Sequence, residues 1–296
     1  MELKVYHRTE YRYSSSVRES LNEVKLSPRD SKNQVCASSI VSVLPPARPA
    51  PYFDLYGNRS HYIEIPQEHE RLVVEARMRI RTSPSLEAKD FPYGVPMRSL
   101  KGLSGREDCH SFLQGSPYVE LNPEVWRKAI DIIDESDDVF QTSYAIMAYI
   151  FKEYTYLPGA TAVTTHANEV IKRKVGVCQD FAHAMVAFCR SLGIPARYVS
   201  GYFFDTTRDL SLRGSEATHA WVEVFVEGFG WIGLDPTNNR VVDDTYIVLA
   251  VGRDYTDVAP VAGSYFGGGS STLIVHVAVR RVDVDTPLVA QSQSQS

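Results

Sequence analysis

Residues 176–195 read Gly176-Val177-Cys178-Gln179-Asp180-Phe181-Ala182-His183-Ala184-Met185-Val186-Ala187-Phe188-Cys189-Arg190-Ser191-Leu192-Gly193-Ile194-Pro195. Apolar side chains at 181, 185, 188 and 192 recur with helical period, Gly193 stands where a C-terminal cap belongs, and Pro195 prevents continuation. Cys178 therefore opens a helix. A thiol in the first turn lies against the positive end of the helix dipole, which favours thiolate, and Lys172, Arg173 and Lys174 add positive potential just upstream. Such a position suits a nucleophile. Asp180, in the same turn, reads as a cap-region carboxylate. His183 is five residues past Cys178, roughly 140° around the helix, and reads as a packing or hydrogen-bonding histidine rather than a base. Cys189, about three turns on and roughly 16 Å away, sits near the helix C-terminus among apolar neighbours and reads as inert core.

Working outward, a base has to come from another element. Thr218-His219-Ala220-Trp221-Val222-Glu223-Val224-Phe225-Val226 reads as a strand, with Ala220, Val222, Val224 and Val226 on one face and His219, Trp221, Glu223 and Phe225 on the other. Gly228-Phe229-Gly230 turns the chain into Trp231-Ile232-Gly233-Leu234-Asp235-Pro236-Thr237-Asn238, which delivers a carboxylate on the neighbouring strand. Parity constrains this hairpin. Asp235 shares a face with His219 only if an odd-numbered residue such as Trp221 lies opposite it, so the turn needs an odd loop length or a bulge. Pairing 227 with 230 across a two-residue loop puts Asp235 on the wrong face. With the required register, Cys178, His219 and Asp235 are expected to form a catalytic triad of nucleophile, base and orienting carboxylate. Trp221 and Trp231 are read as core.

Upstream, residues 1 to about 85 read as strands. Leu3, Val5, Tyr11 and Tyr13 alternate with polar neighbours, Ile40-Val41-Ser42-Val43 stops at Pro45-Pro46, and 71–81 ends in strict period-two alternation, while Gly57-Asn58 marks a hairpin turn. Phe91 to Val119 is rich in Pro, Gly and Ser, as a surface connection is. Asn122-Pro123-Glu124 is a helix start, with helices expected over 123–134, 138–154 and 167–174; the second is apolar round much of its circumference and expected to be largely buried. Thr272 to Val279 is the last strand-like stretch, and the Gln/Ser repeat from Gln291 is expected to be disordered. The chain thus divides into an antiparallel β domain (1–90), a connecting segment (91–121), the unit that carries the chemistry (122–285) and a tail (286–296). The β domain is expected to shape access to the cleft.

Composition narrows the function classes. The chain has 296 residues, 44% hydrophobic and 23% charged, which fits a folded protein with a substantial core. Thirty-one basic residues against thirty-six acidic ones give a net charge of −5, with no basic stripe, so nucleic acid is not an expected partner. The apolar runs are far shorter than the ~20 residues of a membrane span, and the N-terminal residues alternate instead of forming an apolar signal run, so no membrane association and a cytoplasmic location are expected. Four cysteines at 36, 109, 178 and 189 form no Cys-x-x-Cys pair, which argues against a disulfide framework or structural zinc. Cys36 reads as strand core and Cys109-His110 as a solvated or structural pair. Gly267-Gly268-Gly269-Ser270 lacks the lysine and helix of a phosphate loop and reads as a flexible turn.

Three stretches together, Gly176-Val177-Cys178-Gln179-Asp180-Phe181-Ala182-His183, His219-Ala220-Trp221-Val222-Glu223-Val224 and Gly230 to Asn238, resemble the core motifs of bacterial transglutaminase-like proteins. The resemblance extends to Leu192 to Tyr202 and to Val251-Gly252-Arg253-Asp254-Tyr255. Leu26-Ser27-Pro28-Arg29 and Asp54-Leu55-Tyr56-Gly57-Asn58 resemble the β domain that precedes this core. It implies an α+β architecture: a papain-like transglutaminase core, the Cys helix packed on an antiparallel sheet, preceded by a small antiparallel β domain, with Cys178, His219 and Asp235 catalytic and no cofactor or metal. Animal transglutaminases bind calcium and carry further C-terminal β domains; this chain shows neither a calcium loop nor those domains. The prokaryotic relatives look more like amide hydrolases of the cysteine protease type. The expected reaction is thiol-dependent acyl transfer at a carboxamide of a peptide or protein through a Cys178 thioester, with water giving hydrolysis and a primary amine giving transamidation. The Cys178 N–H is a candidate oxyanion donor and Tyr156 a candidate second one. The competing readings are a non-catalytic interaction module and a metal site built from the same three residues, which needs a vacant tetrahedral position.

Overall fold

The computed structural model describes residues 1–84, 86, 90–133, 136–204, 218–267 and 269–282. Five strands come first: β1 (Glu2–Ser27), β2 (Gln34–Leu44), β3 (Ala50–Phe53), β4 (Arg59–Ile65) and β5 (His69–Thr82). Short helical turns follow over 97–113, among them α1 (Glu107–His110), then α2 (Pro123–Ile132), α3 (Val139–Glu153), β6 (Thr155–Tyr156), α4 (Ala167–Arg173), β7 (Val175–Gly176) and α5 (Cys178–Ser191). The chain then runs through β8 (Ala196–Phe203), β9 (His219–Val226), β10 (Gly230–Asp235), β11 (Arg240–Val241), β12 (Tyr246–Gly252), α6 (Tyr255–Val258), β13 (Val261–Gly267) and β14 (Ser271–Arg281).

Two antiparallel sheets organise these elements. The first is built on β1, with β5 and β4 along one edge and β14 and β13 along the other; β2 lies outside β5 and β3 outside β4. This corrects the division of the chain read from the sequence. Residues 261–281 lie inside 122–285, yet they belong to the N-terminal sheet, because a 26-residue β1 has two long edges to pair and local alternation cannot say which strand pairs them. The Gly267 to Ser270 stretch, of which residue 268 lies outside the described residues, interrupts one long run alongside β1. The Gln/Ser tail also lies outside the described residues.

The second sheet has the order β11-β10-β9-β8-β12. α5 packs on it through Phe181, Met185 and Phe188, which share a core with Ala220, Val222, Val224 and Val226 of β9. Fully burying each of those three side chains stabilises the fold by about 1.5–3 kcal/mol. α5 ends in the expected left-handed Gly193, whose N–H reaches the Arg190 carbonyl while the Ile194 N–H reaches that of Cys189. The Asn122 side chain caps α2 and Asp138 caps α3. α3 is more amphipathic than expected: Tyr144 and Phe151 are exposed, since only one side of it meets α5. Arg190, which carried no sequence signal, is buried at the end of α5 and donates to the carbonyls of Gln114, Ala196 and Arg253, tying three segments together.

The first sheet closes the back of the second. Leu26, Ile63, Leu72 and Val74 enclose Tyr202, Ile247 and Leu249. The outer edge of β12 is capped by two side-chain amides: Gln34 donates to and accepts from the Val248 peptide, and Asn58 does the same at Val251, each bond 2.8 Å. An edge strand is thereby shielded from other strands. Gly201 of β8 makes this packing possible, because a Cβ there would stand 2.0 Å from the Ile247 carbonyl oxygen and 2.6 Å from the Trp221 ring. Gly201→Ala is expected to destabilise the protein by about 3 kcal/mol, at the upper end of overpacking costs. Urea unfolding measures it, and an unchanged midpoint would mean that β8 and β12 can part at no cost.

Candidate active site

The hairpin joining β9 and β10 decides whether the site exists. Gly230 pairs with Val226, Trp231 with Phe225 and Leu234 with Val222, around a three-residue loop, 227–229, with Gly228 inside it and Gly230 just after it both left-handed. The loop is odd, as parity demands, and continuing the register sets Asp235 opposite Trp221. His219 and Asp235 meet: the imidazole Nε2 donates to Asp235 Oδ2 at 2.8 Å, with both side chains out of solvent.

Asp235 is held by more than the histidine. Its Oδ2 also accepts from the Tyr246 hydroxyl and the Asn238 side-chain amide, each at 2.8 Å, and its Oδ1 from the backbone N–H groups of Thr237 and Asn238. Burial opposes the charge, but the imidazolium and these donors outweigh it and hold the carboxyl below its ordinary value. Neither Tyr246 nor the Asn238 side chain was singled out from the sequence. Asp-Pro-Thr-Asn is a turn pattern in which an Asp side chain takes following N–H groups, so Asn238 was within reach; Tyr246, on another strand, left no local trace.

For His219, burial likewise opposes the charge, and the Asp235 carboxylate, with a smaller contribution from Cys178, overrides it and raises the pKa. With Nε2 committed to Asp235, Nδ1 is the ring nitrogen left for the half-buried Cys178 thiol, and it has no hydrogen-bond partner. The ring is walled by Phe203, Trp221 and Tyr246, all within 6.2 Å centroid to centroid. Among the described residues no group of three His, Cys, Asp or Glu side chains is placed to hold a metal ion.

Cys178 is the first residue of α5, with Val177 as its cap and Asp180 accepting from the Val177 N–H and from Thr161, the cap role read for it. Lys172, Arg173 and Lys174 stand in exposed pairs with Glu124, Glu169 and Glu153, at 4.0, 2.8 and 3.2 Å, which weakens the positive potential they add near the thiol. Tyr156 is set beside Gly176 by the parallel β6–β7 pair, two residues before Cys178.

The remaining candidates resolve as follows. His183 is buried, its Nε2 accepts from the Tyr255 N–H, and burial pushes its pKa down to about 3, so it is a neutral packing group. Trp221 is core, whereas Trp231 is half-buried under the Arg197 guanidinium at 4.3 Å, beside a cavity at the junction of the two sheets, which corrects its reading as core. Cys36 lies beside a bulge in β2, opposite the buried Ile80, and is only half-buried because β2 is an edge strand. Cys109 is fully buried against Leu103 and Phe225, hence structural, while His110 is exposed. Among the described residues no helix is long and apolar enough to cross a membrane.

Comparison with known proteins bears on this geometry. The transglutaminase-like superfamily matches residues 127–236, and the bacterial transglutaminase-like N-terminal region matches residues 3–81. An uncharacterized protein of Mycobacterium tuberculosis is 34% identical over 283 residues, covering 92% of this chain and 90% of that one. A protein-glutamine gamma-glutamyltransferase of Pseudomonas aeruginosa is 30% identical over 122 residues, which is 39% of this chain and 18% of its own length. The crystal structure of a "putative cysteine protease" from Cytophaga hutchinsonii superposes with a TM-score of 0.76 at 26% identity, over 97% of this chain and 92% of that one. The chain therefore belongs to the transglutaminase-like superfamily, with the bacterial transglutaminase-like N-terminal region ahead of its core.

Proposed function

We propose that the protein is a cysteine hydrolase acting on carboxamides of peptides or proteins, with Cys178, His219 and Asp235 as its catalytic triad. The observation that carries this reading is the buried His219–Asp235 pair whose free ring nitrogen is left to the thiol at the start of α5. Cys178 Sγ, as thiolate, adds to the carboxamide carbon. His219 then delivers its proton to the departing nitrogen, the C–N bond breaks, and a thioester and a free amine result. Water, deprotonated by the now neutral His219, adds to the thioester and releases the acid and Sγ. Asp235 stays ionised throughout and fixes the ring. The Cys178 N–H is a donor for the oxyanion and Tyr156 a candidate second one. Four free thiols suit a reducing compartment, and a cytoplasmic location is part of the proposal.

Hydrolysis is favoured over transamidation by the near full-length likeness to the Cytophaga hutchinsonii protein, whereas the Pseudomonas aeruginosa transferase matches over 39% of this chain. The test is an electrophilic carboxamide probe followed by peptide substrates with and without an added primary amine. Probe adduct on Cys178 and amine-independent release of acid are expected. Amine incorporation at the expense of acid would make the protein a transamidase, and equal labelling of wild type and Cys178→Ala, with no turnover, would make it a non-catalytic interaction module.

A further inference from the structure

The outward face of the first sheet carries an arrangement that its fold does not use. In the strand register Lys4 of β1 lies directly opposite Arg79 of β5 on one side and Arg280 of β14 on the other. One step along on the same face, Tyr6 lies between Arg77 and Ala278, and Arg77 lies opposite Ile40 of β2. Three cations therefore stand side by side across three neighbouring strands, about 4.8 Å apart from strand to strand. Like charges directly opposed destabilise a sheet. The carboxylates of this face are spent nearby: Glu2 pairs with Arg79, and Glu75 serves Tyr6 and Arg8 and approaches Arg77. No carboxylate among the described residues pairs with Lys4 or Arg280, and both are exposed.

Beside the cationic row the face is apolar and concave. A depression of about 590 Å³ lies over the four strands, with Tyr6, Ala278 and the 66% exposed Ile40 as its apolar side chains on this face, while Val5 and Met78 beneath it turn theirs to the opposite face. The opposite face of this sheet already encloses Tyr202, Ile247 and Leu249, so the depression contributes nothing to joining the two sheets. A protein whose net charge is −5 has thus gathered unpaired cations next to an uncovered apolar hollow.

We propose that this face docks an acidic polypeptide segment, with its carboxylates on Lys4 and Arg280 and its apolar side chains over Ile40 and Tyr6. The docking is independent of the chemistry at Cys178. A peptide fits better than nucleic acid, because the row extends over only about 10 Å, too short to track the several phosphates on which duplex binding depends.

Fluorescence anisotropy tests it with the full chain and a labelled dodecapeptide carrying four glutamates and three leucines. Binding that weakens as salt rises is expected, at least tenfold weaker in the Lys4→Glu/Arg280→Glu double variant, measurably weaker in the Lys4→Gln/Arg280→Gln variant, and unchanged in Lys101→Glu. Because the opposed cations are removed, the unfolding midpoint of the glutamine variant is expected to equal or exceed that of the wild type, which separates lost docking from lost folding. Absence of peptide binding, binding indifferent to both double variants, or tighter binding to a 20-base-pair duplex or to phosphatidylserine vesicles would overturn the proposal.

Discussion

Asp235→Asn is expected to lower turnover by about 10³–10⁴-fold, the scale on which a wrongly oriented base costs a triad enzyme. Oδ2 of Asp235 accepts three hydrogen bonds, from His219, Tyr246 and Asn238, and Oδ1 takes two backbone N–H groups. An asparagine has one oxygen for these donors, and its amide group must confront at least one N–H or O–H. If the imidazole turns to accept from that amide, the proton moves to Nδ1 and faces Cys178, and the ring can no longer take a proton there. The largest upward influence on His219 also disappears, leaving burial to push its pKa below the ordinary 6.5, so the ring is neutral at pH 7. The rate of Cys178 alkylation at pH 7, measured beside turnover, distinguishes this from simple misfolding.

Stability shifts with pH as well. The pKa of His219 is raised in the folded protein, so its contribution is complete below about 6.5 and fades as pH rises through the raised value; that of Asp235 is lowered, so its contribution is complete above about 3.8 and is lost in acid. The wild type is therefore expected to exceed Asp235→Asn by about 3–5 kcal/mol between pH 4 and 6.5, with the gap narrowing toward pH 10. A gap that widens with pH would contradict the charge assignment of the pair.

Alkylation with iodoacetamide at pH 7 is expected to modify Cys178 at least ~10³-fold faster than Cys189. Cys189 is fully buried and burial pushes its pKa up to about 12, and the buried Cys109 is pushed up to about 11. At neutral pH a thiol with a pKa near 12 is about one part in 10⁵ thiolate, before access is considered. Cys36 is half-buried with its pKa also raised by burial, so it should follow Cys178 slowly, while Cys109 and Cys189 should react only in denaturant. Peptide mapping by mass spectrometry reads the order, and labelling of Cys189 as early as Cys178 would remove Cys178 as the nucleophile.

The local features of this site were legible because backbone periods write them directly. Helical spacing from Phe181 to Leu192 with Gly193 beyond it, period-two alternation from His219 to Val226, and glycines at 228 and 230 each reflect constraints acting within one turn or one strand. Parity then led from those glycines to the face of Asp235, since an odd loop is the simple way to bring it round to His219.

Partners distant in sequence were not legible in this way. That β13 and β14 complete the first sheet depends on which edges of β1 remain open, and any alternating strand satisfies that demand equally well. Tyr246 reaches Asp235 from a strand two places away in the sheet order beyond His219, Arg190 finds carbonyls from three segments, and Lys172, Arg173 and Lys174 find carboxylate neighbours. The amino-acid sequence alone determined the elements that carry Cys178, His219 and Asp235 and the faces on which they lie, because period and turn geometry are local. Tertiary structure decided which groups hold the carboxylate, which charges are spent and which strands close the sheet, because hydrogen-bond and ion-pair partners are chosen by distance in space.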